Sequence, residues 1–219
     1  MAKNGVVFWK SLPTDYILAY DFNGNTTDSS VNGLNGAMTG TLAFDTGRKI
    51  GTQSMKFTKG CVKTTLPLPV NSDKVTIAFW IKTVATTGNI AELSTDYNSN
   101  NAFRSGVNGN ITFTTHSPSG HNGGNSSSSI NTNVWTHVVL SVDRSLGINQ
   151  VKIYVNGALD YIQSPSTVAN ITGNFVNNIL FIGQRAGSSL GLNGSLTKLK
   201  IYNYPFTPSE VTNLYNSEL

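Results

Sequence analysis

Cysteine is almost missing from this chain of 219 residues, since Cys61 is the single one. One cysteine excludes an intrachain disulfide and a zinc site built from several cysteines. It also fits folding in a reducing compartment. We expect Cys61 to be a small, buried core residue rather than a reactive thiol, because no neighbouring pattern would lower its pKa.

Long apolar runs are missing as well. The apolar segment at residues 6–9 is shorter than the hydrophobic part of a signal peptide, and no later stretch is long enough to cross a bilayer. We therefore expect no secretion signal, no membrane insertion and synthesis in the cytoplasm. Residues 1–15 are predicted to form an arm or an edge strand before a single domain over residues 16–219. In the arm, Phe8 and Trp9 are the candidate contacts to a neighbouring subunit.

Charge is scarce: charged residues make up 12% of the chain, and 15 basic against 11 acidic residues give a net charge of +4. The basic residues are scattered, and Arg48-Lys49 is the only adjacent pair. A nucleic-acid-binding surface would concentrate them with aromatic residues between, so we predict no nucleic-acid partner. Few charges beside many Asn, Ser, Thr and Gly residues favour strands joined by turns over helices.

Glutamate is rare and occurs only at Glu92, Glu210 and Glu218. A glycosidase needs two carboxyl groups roughly 5 to 10 Å apart. On a strand, Glu92 and Asp96 would share a face, but their backbones would be roughly 13 Å apart. The pair is too widely separated for a retaining mechanism, so we predict that the protein is not an enzyme. His137 is expected to have a structural role in a strand.

Alternation of apolar and polar residues predicts about a dozen short strands. Residues 75–82 place Val75, Ile77, Phe79 and Ile81 on one face, as in a central strand. Asn156-Gly157 between two apolar runs is typical of a type I′ hairpin turn.

Other segments are predicted with less regular patterns. Residues 54–57 and 61–65 are predicted to form a hairpin across a turn at residues 58–60. The Gly- and Ser-rich residues 116–129 are predicted to be a long loop. Residues 207–210 form a capping box with proline at the first helical position, which predicts a short C-terminal helix. Together the patterns predict an all-β, antiparallel two-sheet β-sandwich with one short C-terminal helix.

Residues 20–36 begin at the end of the first predicted strand, over residues 16–22, and are rich in Asn, Asp and Gly. These residue types suit positive φ angles and hydrogen bonds from side chain to backbone. Such a loop can hold an ion or brace two sheets, and the sequence is compatible with both roles.

Six motifs in order resemble the laminin-G-like, concanavalin A-like lectin/glucanase superfamily over residues 16–215. The resemblance implies a two-sheet jelly roll, often with a structural calcium, and a role in binding glycans or proteins. The residues that carry it are Tyr20-Asp21-Phe22-Asn23-Gly24-Asn25 with Asp28-Ser29-Ser30 and Asn32-Gly33, Met55-Lys56-Phe57, residues 75–82, Trp135-Thr136-His137-Val138, Tyr154-Val155-Asn156-Gly157 and Lys200-Ile201-Tyr202-Asn203.

The calcium site implied by the resemblance has Asp21, Asp28 and Asn32 as its best ligand donors. This chain departs from the family at Val31, where members usually carry glycine, and at residues 197–198, near the position of a usual acidic residue. The missing carboxylate removes a hard-cation ligand. The alternative is that Asp28 and Asn32 only cap their own turns.

The favoured function is a non-catalytic binding or adhesion module for a glycan or a protein. A lectin-like site needs aromatic rings and polar groups on loops of a rigid sheet. The candidate ligand-binding residues are Tyr97, Asn98, Phe103, Arg104, His116 and His121.

The alternative function is a structural decoration or fibre subunit of a bacteriophage particle, because the resembling family includes such modules. The absence of an export signal and the apolar arm suit a chain assembled inside a cell and displayed on a virion. In this setting the partners would be virion subunits or further copies of the chain.

Overall fold

A computed structural model describes residues 13–95, 102–118, 120–163, 171–185 and 189–219. Within these residues the chain forms thirteen strands and one helix. No helix in this part of the chain has the length and apolarity to cross a membrane. The strands are β1 (Leu18–Tyr20), β2 (Gly36–Thr46), β3 (Gln53–Thr64), β4 (Lys74–Thr83), β5 (Gly88–Ser94), β6 (Phe103–Val107), β7 (Asn110–Ser117), β8 (Gly120–Ser129), β9 (Thr136–Asp143), β10 (Val151–Val155), β11 (Ala158–Ile162), β12 (Ile179–Ile182) and β13 (Gly194–Tyr202), and the helix is α1 (Pro208–Glu218).

The strands form one continuous hydrogen-bonded path in the order β11, β10, β9, β4, β13, β3, β12, β5, β6, β7, β8. β1 also pairs with β13, and β2 also pairs with β3. All of these pairs are antiparallel. The predicted all-β class with one short C-terminal helix is therefore confirmed. The division into two separate sheets stays a prediction, because the path does not break.

β3 explains why the path is continuous. Its first half pairs with β13, through Met55 and Phe57, and its second half pairs with β12, through Val62 and Lys63. The predicted hairpin turn at residues 58–60 is wrong, because these residues continue the strand.

The turn prediction failed because β2 was not recognised. β2 pairs with the whole length of β3, and Gly40 and Thr41 lie opposite Gly60 and Lys59. A register shift follows Thr41, which marks a bulge in this long hairpin. Gly40 has a φ of +76°, and a Cβ there would lie 2.3 Å from the Lys59 carbonyl oxygen, so the bulge requires glycine.

The Gly- and Ser-rich residues 116–129 are not a long loop, which corrects the sequence prediction. β7 continues to Ser117 and pairs with β8, so that His116 lies opposite His121. Polar side chains of β8 are buried: Asn122 donates to the Gln150 side-chain oxygen at 3.1 Å. Partners across the sheet and beneath it thus hold a segment of low strand propensity in a strand.

The main core lies on one face of the strands. In β4, Val75, Ile77, Phe79 and Ile81 all belong to it, as the alternation predicted. The opposite face of the same strands carries a second, smaller core beneath α1. This second core consists of Ala78, Val139, Tyr154, Tyr202, Phe206, Val211 and Leu214.

Local signals near the second core and in β3 are confirmed. Asn156 and Gly157 have φ angles of 49° and 82°, as a type I′ turn requires. Thr207 accepts a hydrogen bond from the Glu210 backbone, and the Glu210 side chain accepts one from the Thr207 backbone, so the capping box is complete. Cys61 is fully buried, and burial raises the pKa of its thiol to about 11.

The two ends of the strand path meet through side chains. Tyr161 of β11 donates from its hydroxyl to the Gly123 carbonyl of β8 at 3.1 Å. The Asp160 carboxylate accepts from the backbone N–H of Ser128 at 3.2 Å. The arrangement of strands is therefore nearly closed.

Candidate functional site

The Asp28 carboxylate braces the loop at residues 20–36 from inside. One oxygen accepts from the backbone N–H groups of Ala19 and Ser30, both at 2.9 Å. The other accepts from the Leu34 N–H at 2.8 Å and from the Ser30 hydroxyl at 2.7 Å. Asp28 is buried, so these four bonds satisfy its oxygens without an ion.

The other two predicted calcium ligands do not join Asp28. Asp21 forms a salt bridge with Lys198, with 2.9 Å between the carboxylate oxygen and Nζ. The Asn32 side chain donates to the Ile17 carbonyl at 2.8 Å and lines a separate depression beside Tyr16. Within the described residues, no group of three or more His, Cys, Asp or Glu side chains could hold a metal ion. The three residues therefore do not fit a calcium site, and Asp28 fits the turn-capping alternative.

The predicted ligand-binding residues are only partly brought together. Tyr97 and Asn98 lie outside the described residues, as do the assembly candidates Phe8 and Trp9. Phe103 is fully buried against Phe113 and Phe175, with ring centroids 5.6 and 6.2 Å away. Its assignment as a ligand contact is wrong, because it points into the core.

Arg104, His116 and His121 do lie on one face, opposite the main core. Phe103 and Leu93 face the core, so their neighbours Arg104 and Glu92 lie on the opposite face, where Arg104 is half-buried and Glu92 is buried. The register places Glu92, Arg104 and Thr114 side by side across β5, β6 and β7.

The two histidines lie next to this row. The imidazole rings of His116 and His121 are 5.5 Å apart, with their planes at 32°. Arg185, from the segment after β12, approaches the same row, and its Nε lies 3.7 Å from a Glu92 carboxylate oxygen. We call Glu92, Arg104, His116, His121 and Arg185 the polar-face cluster.

The electrostatics of the polar-face cluster are dominated by its cations. Burial lowers the pKa of Arg104, and Arg185 lowers it further, whereas Glu92 raises it. Burial, then Arg104 and His121, lower the pKa of His116 to about 4. His116 is therefore neutral at pH 7, and its ring offers one donor and one acceptor. The cluster can hydrogen-bond hydroxyl and carboxylate groups, and its imidazoles offer flat surfaces for stacking.

Sequence comparison assigns the family. A laminin G family model, described as the concanavalin A-like lectin/glucanases superfamily, matches residues 57–212. The chain belongs to the concanavalin A-like lectin/glucanases superfamily. The resemblance inferred from the motifs is thereby confirmed.

Solved structures share the superfamily fold. Domain 4 of AbnA, a GH43 extracellular arabinanase from Geobacillus stearothermophilus, was solved with arabinotriose. It is 23% identical with a TM-score of 0.70, and the match covers 91% of this chain and 98% of that one. The binding domain of botulinum neurotoxin DC, solved with SialylT, is 17% identical with a TM-score of 0.67, and the match covers 95% and 53%.

The binding domain of Paraclostridial Mosquitocidal Protein 1 is 18% identical with a TM-score of 0.66, and the match covers 93% and 52%. The chain thus spans about half the length of these toxin binding domains. A search of curated proteins found no match.

Three charged residues in or near the polar-face cluster are not indicated as binding residues by the sequence. Glu92 was considered only as a catalytic acid, and its outward position could have been found from its alternation with Leu93. Arg185 reaches Glu92 across β12, and no short-range pattern indicates that contact. Arg144 is buried beneath the ends of β6 and β7, where it donates to Thr115 Oγ1 at 2.7 Å and to the His116 carbonyl at 2.7 Å.

Proposed function

We propose that this chain is a non-catalytic glycan-binding module and that the polar-face cluster contacts the sugar. The observation that carries the proposal is the convergence of Arg104, His116 and His121, from three adjacent strands, with Glu92 and Arg185. Side chains on paired strands hold their relative positions better than side chains on loops, which lowers the entropy lost on binding.

The chemistry of the cluster suits a saccharide. Sugar hydroxyls both donate and accept. The neutral His116 ring offers one donor and one acceptor, and the guanidinium groups of Arg104 and Arg185 donate. The Glu92 carboxylate is buried and lies 3.7 Å from Arg185, so it supports the site from beneath. The exposed His121 ring lies beside His116 and offers a flat surface to the C–H face of a sugar ring. An apolar ligand offers no hydrogen bonds to the His116 ring or to the Arg104 guanidinium, which costs affinity.

The solved relatives support a glycan ligand. The arabinanase domain was solved with arabinotriose and the botulinum neurotoxin DC binding domain with SialylT. At 23% and 17% identity they share the fold, and the ligand class for this chain rests on the polar-face cluster.

The non-catalytic part of the proposal rests on the carboxylates. Glu92 is the single carboxylate of the polar-face cluster, and one of its oxygens accepts from Ser94 Oγ at 2.6 Å. Hydrolysis of a glycoside needs a second carboxyl group across the scissile bond. Asp96, the partner considered from the sequence, lies outside the described residues.

The proposal also includes the two-layer form of the jelly roll. We propose that the continuous strand path folds over at β3, so that the polar face lies on one layer and α1 covers the other. The pairing of β3 with both β13 and β12 supports this, since strands that turn a corner at a bulge join two layers. The contact between Asp160 and Ser128 closes the far side.

A glycan array that includes arabino-oligosaccharides and sialylated glycans tests the function. We expect binding by the wild type and a loss of about tenfold or more for Arg104→Ala, because a hydrogen bond to a charged group contributes about 1.5–3 kcal/mol. His121→Ala should also weaken binding. Lys59→Ala is the control, because Lys59 is an exposed cation of β3 that lies outside the cluster. A blank array with folded protein, or unchanged binding by both cluster variants, would refute the proposal.

A further inference from the structure

A concave surface lies between the loop after β1, the turn that links β2 and β3, strand β13 and the end of α1. This cleft has a volume of about 380 Å³. That volume suits a ligand of one or two sugar rings, since ligand pockets range from about 300 to 1,000 Å³. The cleft shares no residue with the polar-face cluster, so the inference does not depend on the proposed function.

The charged lining of the cleft is unbalanced. Four cationic and two anionic side chains line it. The two carboxylates are already paired: Lys198 lies 2.9 Å from Asp21, and Lys200 lies 2.7 Å from Glu218. Arg48 and Lys49 form no salt bridge with any described residue, so two positive charges are left for a ligand. These are the two residues that form the only adjacent basic pair in the sequence.

Arg48 is held in position by an aromatic stack. Its guanidinium lies 3.9 Å from the centroid of the Trp80 ring. Trp80 is fixed in turn, because its indole N–H donates to a Glu218 oxygen at 2.7 Å and its ring stacks on Tyr215 with a centroid distance of 5.7 Å. Stacking uses the flat face of the guanidinium and leaves the N–H groups at its edge for a ligand. A planar fork of donors matches a carboxylate, which accepts two parallel hydrogen bonds.

Neutral polar groups complete the lining. Asn23, Gln53, Thr52 and Ser217 line the same cleft. The Thr52 and Ser217 hydroxyls donate to the Lys49 and Leu214 carbonyls, which leaves their oxygens as acceptors for a ligand. Groups of this kind recognise the hydroxyls of a sugar, whereas a bare oxyanion would need only the cations. We propose that this cleft binds an acidic saccharide, with the sugar carboxylate on Arg48 and Lys49 and the ring hydroxyls on the amide and hydroxyl side chains.

Calorimetric titration of the full chain tests the proposal with three probes: digalacturonic acid, its methyl ester and inorganic phosphate. We expect digalacturonic acid to bind at low salt, and its affinity to fall as the salt concentration rises. The ester lacks the carboxylate charges and should bind about tenfold more weakly or worse. Phosphate should bind more weakly than digalacturonic acid, because it makes no contact with the neutral groups.

Variants assign the binding to the cleft. Arg48→Gln and Lys49→Gln should each lower the affinity for digalacturonic acid, by about tenfold for Arg48→Gln. Arg48→Gln removes the stack on Trp80. If that variant does not fold, Lys49→Gln still tests the cleft, because Lys49 is exposed. Lys59→Gln changes an exposed lysine of β3 outside the cleft and should bind as the wild type does. Arg104→Ala reports whether the acid binds at the polar-face cluster instead.

Several results would overturn the assignment. Equal binding of the acid and the ester would remove the role of the carboxylate. Phosphate binding as strong as that of digalacturonic acid would reduce the site to one for free oxyanions. Wild-type affinity in both Arg48→Gln and Lys49→Gln would exclude this cleft. A loss in Arg104→Ala with none in Arg48→Gln would move the acidic sugar to the polar-face cluster and leave the glycan-binding proposal standing.

Discussion

Replacing Asp28 with alanine tests whether the loop at residues 20–36 is held by a carboxylate alone. In the folded protein the Asp28 carboxylate accepts four hydrogen bonds, three of them from backbone N–H groups. The N–H groups of Ala19 and Leu34 belong to buried residues, and alanine at position 28 offers them no acceptor. The variant therefore loses more than an ordinary surface hydrogen bond.

The size of the effect follows from the two buried donors. Each buried, unsatisfied N–H group costs about 1–3 kcal/mol, so Asp28→Ala should lower the free energy of unfolding by about 2–6 kcal/mol. Asp28→Asn keeps one carbonyl oxygen but turns an amide NH₂ toward a donor, and its loss should be smaller, at about 1–3 kcal/mol. The free energy of unfolding of a typical domain is about 5–15 kcal/mol, so either loss is easy to detect.

Urea denaturation followed by circular dichroism measures these differences. Asp21→Ala is the matched control, because its ion pair with Lys198 is exposed and such pairs contribute about 0–1 kcal/mol. A loss below about 1 kcal/mol in Asp28→Ala would refute the bracing role. Calcium and a chelator should leave the unfolding midpoint unchanged. A calcium-dependent rise that disappears in Asp28→Ala would instead restore the calcium interpretation.

Three further variants test other features by their effect on stability. Arg144→Met should cost about 3–5 kcal/mol in urea denaturation, because it leaves several buried acceptors unpaired, among them carbonyls that the guanidinium reaches at 2.7–3.2 Å. Gly157→Ala should cost more in thermal melting than Gly51→Ala. Both have positive φ, but only at Gly157 would the new Cβ meet an atom within 4 Å, at 2.8 Å. His137→Gln should make stability less dependent on pH between about 6.5 and 4.

The pH prediction follows from the burial of His137 beneath α1. Burial lowers the pKa of His137 from 6.5 to about 4, so the unfolded chain takes up a proton at a higher pH than the folded chain. The stabilising contribution of the neutral ring is complete above the unfolded pKa, and it is lost as the pH falls from about 6.5 to about 4. A shift of this size corresponds to about 3 kcal/mol. A free energy of unfolding that stays constant over this range would contradict the burial of a neutral ring.

The parts of the fold that short-range patterns decide could be predicted from the sequence. The alternation in β4, the positive φ angles at Asn156 and Gly157, and the capping box at Thr207 each depend on a few neighbouring residues. β2 and β8 could not be predicted in this way. Most of their side chains are exposed or very small, so neither strand shows an apolar period, and each is a strand because a partner strand lies beside it.

The candidate site shows the same division. Arg104, His116 and His121 could be proposed as polar groups on neighbouring loops, but the structure places them in strands β6, β7 and β8. The approach of Arg185 to Glu92 depends on β12 pairing with β5, and sheet order cannot be read from strand patterns. From the sequence, Asp28 is either a metal ligand or a cap of its own turn, because both roles use the same carboxylate. Only its hydrogen bonds in the folded protein favour bracing.

The position of β13 determines when this protein can finish folding. β13 lies between β4 and β3 and also pairs with β1, so the C-terminal strand joins three segments made much earlier. A growing polypeptide on the ribosome has two open strand edges beside apolar core residues until residues 194–202 have emerged. Such edges are templates for pairing with other chains, and distant pairings form slowly. We expect truncated chains that end before β13 to aggregate and not to leave a smaller folded domain.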